Sequence, residues 1–94
     1  MTALPDSVRN ALGELVPALA SLGLVPTRVD TSEAYDDFVV MFESDTQSVR
    51  ILQEEGHLIV LGDQAVLEPA GLWDKFRNPA ELERPLIAWL RAGN

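Results

Sequence analysis

The stretch from Asp36 to Gly62, DDFVVMFESDTQSVRILQEEGHLIVLG, constrains the fold more than any other part of the chain. Phe38, Val40 and Phe42 alternate with Val39, Met41 and Glu43 in a run rich in β-branched and aromatic residues. That period of two is the pattern of an extended strand. The polar turn formers Ser44-Asp45-Thr46-Gln47 come next, and then Val49 and Ile51 alternate with Arg50, Leu52 and Glu54. Glu55-Gly56 provides a residue that tolerates positive φ where a tight hairpin needs one. His57 to Leu61 is almost continuously apolar, which predicts a strand buried on both faces. Turns this short force neighbouring strands to pair antiparallel, and the resulting meander needs a cover on one face.

The flanking segments supply that cover. Val8, Leu12, Leu15, Leu19 and Leu22 recur every three or four residues and predict a helix over 2–22. Thr2 or Asp6 would cap it, Gly23 would stop it, and Pro17 would kink or divide it. Leu24 to Asp30 reads as a first strand with Val25, Thr27 and Val29 on one face. Pro26 cannot donate to a ladder, which places this strand at a sheet edge. Strands are therefore expected at about 24–30, 37–43, 48–54 and 57–62. Residues 63–71 read as a loop with a short extended piece at Ala65-Val66-Leu67, and Leu72 to Phe76 as one helical turn planting Trp73 or Phe76 on the core.

The last helix has a well-formed start: Asn78 as cap, Pro79 in first position and Glu81 reaching back in a capping box. Leu82, Leu86, Trp89 and Leu90 form its apolar stripe, and Pro85 interrupts its hydrogen-bond ladder. The expected architecture is a single α+β domain over 1–94. It is a two-layer sandwich, a four-stranded antiparallel meander covered on one face by the N-terminal and C-terminal helices.

Charge narrows the possible partners. The net charge is −8, and it is unevenly spread: residues 30–55 hold eight acids against one base, Arg50. Such a field repels nucleic acid and anionic lipid and attracts basic surfaces. A solvated face that discourages sheet edges from aggregating would use the same residues. Cysteine is absent, so disulfides, thiolate metal sites and cysteine nucleophiles are excluded. No apolar run reaches the roughly 18 residues of a membrane span and the start lacks a signal-peptide layout. A cytoplasmic location is the expectation.

Catalytic chemistry finds little support in the residues. His57 is the single histidine and has no motif-placed serine, threonine or carboxylate to work with, so it reads as a strand-start residue. Asp36 and Asp37 are adjacent, and adjacent strand residues point to opposite faces, a poor arrangement for a shared cation. Glycines are dispersed rather than gathered in a phosphate-binding loop, and the seven basic residues do not cluster. Trp73, Phe76 and Trp89 read as core-sealing aromatics. The chain is accordingly expected not to be an enzyme and to use no cofactor or metal.

The run FVVMFES, then VRILQEEGHLIVLG, then a tryptophan shortly after, resembles a widespread group of short bacterial helix–meander–helix proteins. In that group a phenylalanine-rich strand ends in a Glu-Ser turn and leads to a Val-Arg strand, a charged-Gly turn and an apolar strand ending in Gly. The resemblance covers about residues 25–90. Several small acidic proteins of this type are similar to immunity proteins that neutralise toxins. The two helix prolines and the long 63–71 segment depart from the group, and no catalytic residue is carried over.

The resemblance implies an acidic immunity-type inhibitor of a basic effector such as a nuclease, and the charge supports it. An acidic face steers association with a basic cleft and occupies its anion sites. The candidate partner-binding residues are Tyr35, Asp36, Asp37, Glu43, Asp45, Glu54 and Glu55, with Tyr35 as aromatic anchor. The alternative is a homodimeric structural or chaperone-like adaptor. It would use an exposed strand edge or the apolar residues Met41 and Leu52 on the second sheet face.

Overall fold

A computed structural model describes residues 3–32 and 37–93. Its elements run α1 (Asp6–Leu12), α2 (Leu15–Ala20), β1 (Val25–Thr31), β2 (Phe38–Glu43), β3 (Ser48–Glu54), β4 (His57–Leu61), α3 (Gln64–Leu67) and α4 (Pro79–Arg91). The four strands form one antiparallel sheet in the order β1-β2-β3-β4. The α+β fold and the antiparallel meander are as the sequence predicts.

One face of the sheet makes the core. Phe38, Val40 and Phe42 of β2, Val49 and Ile51 of β3, and Leu58 and Val60 of β4 are all buried. They belong to one apolar cluster with Val8, Leu12, Leu15 and Leu19 from the N-terminal helices and Leu82, Leu86 and Leu90 from α4. Helices α2 and α4 also touch each other. Among the described residues no polar or charged side chain is buried, so apolar burial is the main force holding the two layers together.

The N-terminal helical region breaks at Gly13 rather than at Pro17. Gly13 takes φ +50°, a conformation open to glycine at little cost, and α1 ends there. Pro17 is the third residue of α2, where a backbone N–H would have no intrahelical partner, so the ring fits without a kink. The residue before α1 is Pro5, whose side chain makes no cap, and Asp6 is already helical; Thr2 lies outside the described residues. Gly23 closes α2 as expected: its φ is +81°, and the Leu24 N–H donates to the Leu19 carbonyl at 3.0 Å, the six-to-one bond of a Schellman motif.

Strand β1 is an edge strand, as Pro26 requires, but its faces differ from the simple alternation. The register slips between Pro26 and Arg28, leaving Thr27 as the extra residue of a bulge. Pro26 is buried and Thr27 exposed, with the Thr27 hydroxyl donating to Glu43 Oε1 at 2.6 Å. Strand β4 is also corrected. It alternates between buried and half-buried residues, because the helices cover only the Leu58 and Val60 side.

Residues 64–67 are helical, not extended. Asp63 caps them by accepting from the Ala65 N–H at 3.1 Å, and Leu67 is driven into the core. Residues 72–76 form bends that end in a bridge to β4, where Leu58 and Phe76 exchange two backbone hydrogen bonds of 2.8 Å. Phe76 is buried, Trp89 is partly buried against the core, and Trp73 is 47% exposed. Helix α4 starts at the Asn78 cap, whose Oδ1 accepts from the Glu81 N–H at 2.9 Å. Glu81 reaches back one residue further than a capping box, to the Arg77 N–H at 3.2 Å.

Candidate protein-binding surface

The helices leave the second face of the sheet open, and strand register arranges it in rows. Asp30 pairs with Val39, Val39 with Leu52, and Leu52 with Ile59. One step along, Arg28 pairs with Met41, Met41 with Arg50, and Arg50 with Leu61. The five aliphatic members of these rows are half-buried, while Arg28, Asp30 and Arg50 are exposed. Arg28 Nε and Asp30 Oδ2 are 3.2 Å apart, the one ion pair among the described residues.

Past the Val39 row, the ladder continues one step beyond the strand ends. The Ser32 N–H donates to the Asp37 carbonyl at 3.1 Å, and extending the β2–β3 register by one residue sets Asp37 opposite Glu54. Glu54 in turn pairs with His57. Asp37 and Glu54 therefore stand as like charges directly across the strands, a destabilising placement. The Asp37 carboxylate turns to the backbone instead, with Oδ1 accepting from the Glu55 N–H at 3.3 Å.

Glu55 is strained. It is the single non-glycine among the described residues with positive φ, +51°, and is followed by Gly56 at +80°. Two successive positive values make the type I′ turn that a two-residue hairpin requires. The Nδ1 of His57 lies 3.1 Å from the Glu55 carbonyl. Asp37, Glu54 and Glu55 thus share one end of the sheet.

Glu43 and Asp45 are at the other end. Five residue steps of about 3.3 Å separate Phe38 from Glu43, roughly 17 Å, so the two groups are distinct sites. Asp45 sits in a turn closed by the Ser44 N–H donating to the Gln47 carbonyl at 2.8 Å, and Ser44 Oγ also accepts from the Gln47 N–H at 3.1 Å. The Gln47 side chain ties this turn to the end of α4 by donating to the Leu90 carbonyl at 2.9 Å. Of the sequence-derived candidates, Tyr35 and Asp36 lie outside the described residues.

Several surface features escape a reading by charge alone. Trp73 lines a groove with Ile59, Lys75 and Asp74, so an exposed indole borders the open face on its β4 side. Arg28, Asp30, Val39, Met41 and Arg50 line a small pit on the β1 side. The alternation of β3 points to Arg50 and Leu52 sharing a face, and that of β1 after Thr27 to Arg28 and Asp30 sharing one opposite Val29; that the two pairs lie on the same face follows only from the strand register. Among the described residues no cluster of histidine, cysteine and carboxylate side chains is placed to hold a metal, and no helix is long and apolar enough to cross a membrane.

The chain matches no protein-family model, no curated protein and no solved structure.

Proposed function

We propose that this chain is a non-enzymatic protein-binding module of the immunity type, which holds a basic effector such as a nuclease by the acidic end of its sheet. The observation that carries the reading is the convergence of Asp37, Glu54 and Glu55, none of which has an ion-pair partner among the described residues. Unneutralised carboxylates on fixed backbone project a field that draws in a basic cleft and can take the place of phosphate oxygens there. The hairpin fixes their backbone before binding, so the ordering cost when a partner docks falls on the side chains alone. Half-buried Val39, Leu52 and Ile59 in the adjoining row provide the apolar centre that such a polar rim usually surrounds.

The test is affinity capture from an extract of the source cell at low salt, run side by side with wild type and an Asp37→Asn/Glu54→Gln/Glu55→Gln variant. A basic protein held by the wild type, released by moderate salt and lost from the variant is the expected result. Its nuclease activity should fall when the wild-type chain is added back in stoichiometric amount. Equal retention by the variant, or undiminished activity, overturns the reading.

A further inference from the structure

We infer that the open face of the sheet also binds a second copy of this chain, in a two-fold arrangement that crosses Arg28 of each copy with Asp30 of the other. Two sheets packed face to face can be related by an axis along the strands or by one perpendicular to them. An axis along the strands stacks each row on itself. Arg28 would then lie over Leu61, and Arg50 over Met41, so guanidinium groups would be desolvated against aliphatic carbon, at a high cost. An axis perpendicular to the strands, between the two rows, exchanges them. Arg28 then meets Asp30, Val39 meets Met41, and Ile59 meets Leu61, with every contact made twice as an isologous interface requires.

The rows make this match possible. Arg28 and Asp30 already lie side by side with exposed side chains, so exchanging partners between copies keeps each charge paired. Arg50, on the inner strand β3, packs its stem on aliphatic carbon with either axis, Met41 in one and Leu52 in the other; what the exchange of rows changes is that Arg28 meets Asp30 instead of Leu61.

Size sets the strength. Four strands about 4.8 Å apart and the two exchanged rows about 6.6 Å apart give roughly 250 Å² of projected face per copy, the size of a weak, transient contact and less than a standard specific interface. The perpendicular axis also places Asp37 opposite Glu43 of the second copy, and each copy carries −8. A reversible monomer–dimer equilibrium follows, not an obligate dimer, and raising salt should strengthen it by screening repulsion between the copies. A second copy and a basic partner would both cover Val39, Leu52 and Ile59 and so compete for the face, but salt has the opposite sign for an acidic end gripping a basic partner, which keeps the two tests distinguishable.

The test is sedimentation velocity up to about 1 mM protein, where even weak association is populated, at low and at high salt. Wild type should shift toward the dimer with concentration, more so at high salt. Arg28→Glu and Asp30→Arg should each sediment as monomers, and an equimolar mixture of the two should recover association, because each supplies the charges the other lacks. Circular dichroism checks that both variants keep the fold. A wild type that stays monomeric overturns the inference, as does a mixture no more associated than its separate components.

Discussion

Asp37 and Glu55, eighteen positions apart in the chain, are joined by one hydrogen bond: Asp37 Oδ1 accepts from the Glu55 backbone N–H at 3.3 Å. That bond pins a hairpin whose first turn residue is held at φ +51°. A side chain in the left-handed region costs about 1–2 kcal/mol unless it is glycine, with asparagine better tolerated than most residues. Glu55→Asn should therefore stabilise the fold by about 0.5–1 kcal/mol, which for a domain of this size raises the melting temperature by several degrees. Thermal unfolding followed by circular dichroism measures this. A melting temperature equal to or below wild type would mean that Glu55 makes contacts worth more than its strain.

The same pair separates charge from hydrogen bonding. Asp37→Asn keeps an acceptor oxygen for the Glu55 N–H while removing the repulsion with Glu54. A small gain, within about 0.5 kcal/mol and larger at low salt, is expected, since exposed charges interact weakly and are screened. Asp37→Ala removes repulsion and acceptor together and should be less stable than Asp37→Asn. Melting curves of the two variants at two salt concentrations give the comparison.

Core and rim should respond very differently to truncation. Phe42 is fully buried between the sheet and the helices, whereas Trp73 is 47% exposed. Phe42→Ala is expected to cost about 3–5 kcal/mol, a large share of the 5–15 kcal/mol by which domains are typically stable. Trp73→Ala should change unfolding free energy by less than about 0.5 kcal/mol. Urea denaturation of both variants reads this directly. A large loss for Trp73→Ala would show that its indole supports the 72–76 segment.

How much of this was legible in the sequence depended on whether the signal was local. The period-two runs around Phe38 to Phe42 and Val49 to Ile51 fix strands, faces and antiparallel pairing, because each residue's face follows from its neighbours. Pro26 placed β1 at the edge through its own missing donor. The errors came where two local rules compete. Gly13 and Pro17 both disturb a helix, and only the packed structure shows that glycine takes the break. An apolar run such as His57 to Leu61 reads the same whether both faces are covered or one is open. Asp63, the cap of α3, was hidden in a segment with loop composition. The acids of residues 30–55 looked like one face, but register puts Asp37, Glu54 and Glu55 at one end of the sheet and Glu43 and Asp45 at the other, information that exists only once strands are paired.

The two helix prolines make opposite predictions. Pro17 stands in the first turn of α2, where no hydrogen bond is lost; the Gly13 carbonyl it would have met already accepts from the Val16 N–H at 3.3 Å. There the ring mainly restricts the unfolded chain, so Pro17→Ala should destabilise by about 0.4–1 kcal/mol. Pro85 is the seventh residue of α4, deep enough that its missing N–H and its ring both disturb the bond to the Glu81 carbonyl. Pro85→Ala should restore that bond and stabilise by about 1–3 kcal/mol. Pro85 also lines a groove with Val66 and Trp89, and lost packing there would reduce the gain. Paired urea curves decide the matter: variants that both lose stability would mean that the Pro85 ring's packing outweighs its break in the ladder.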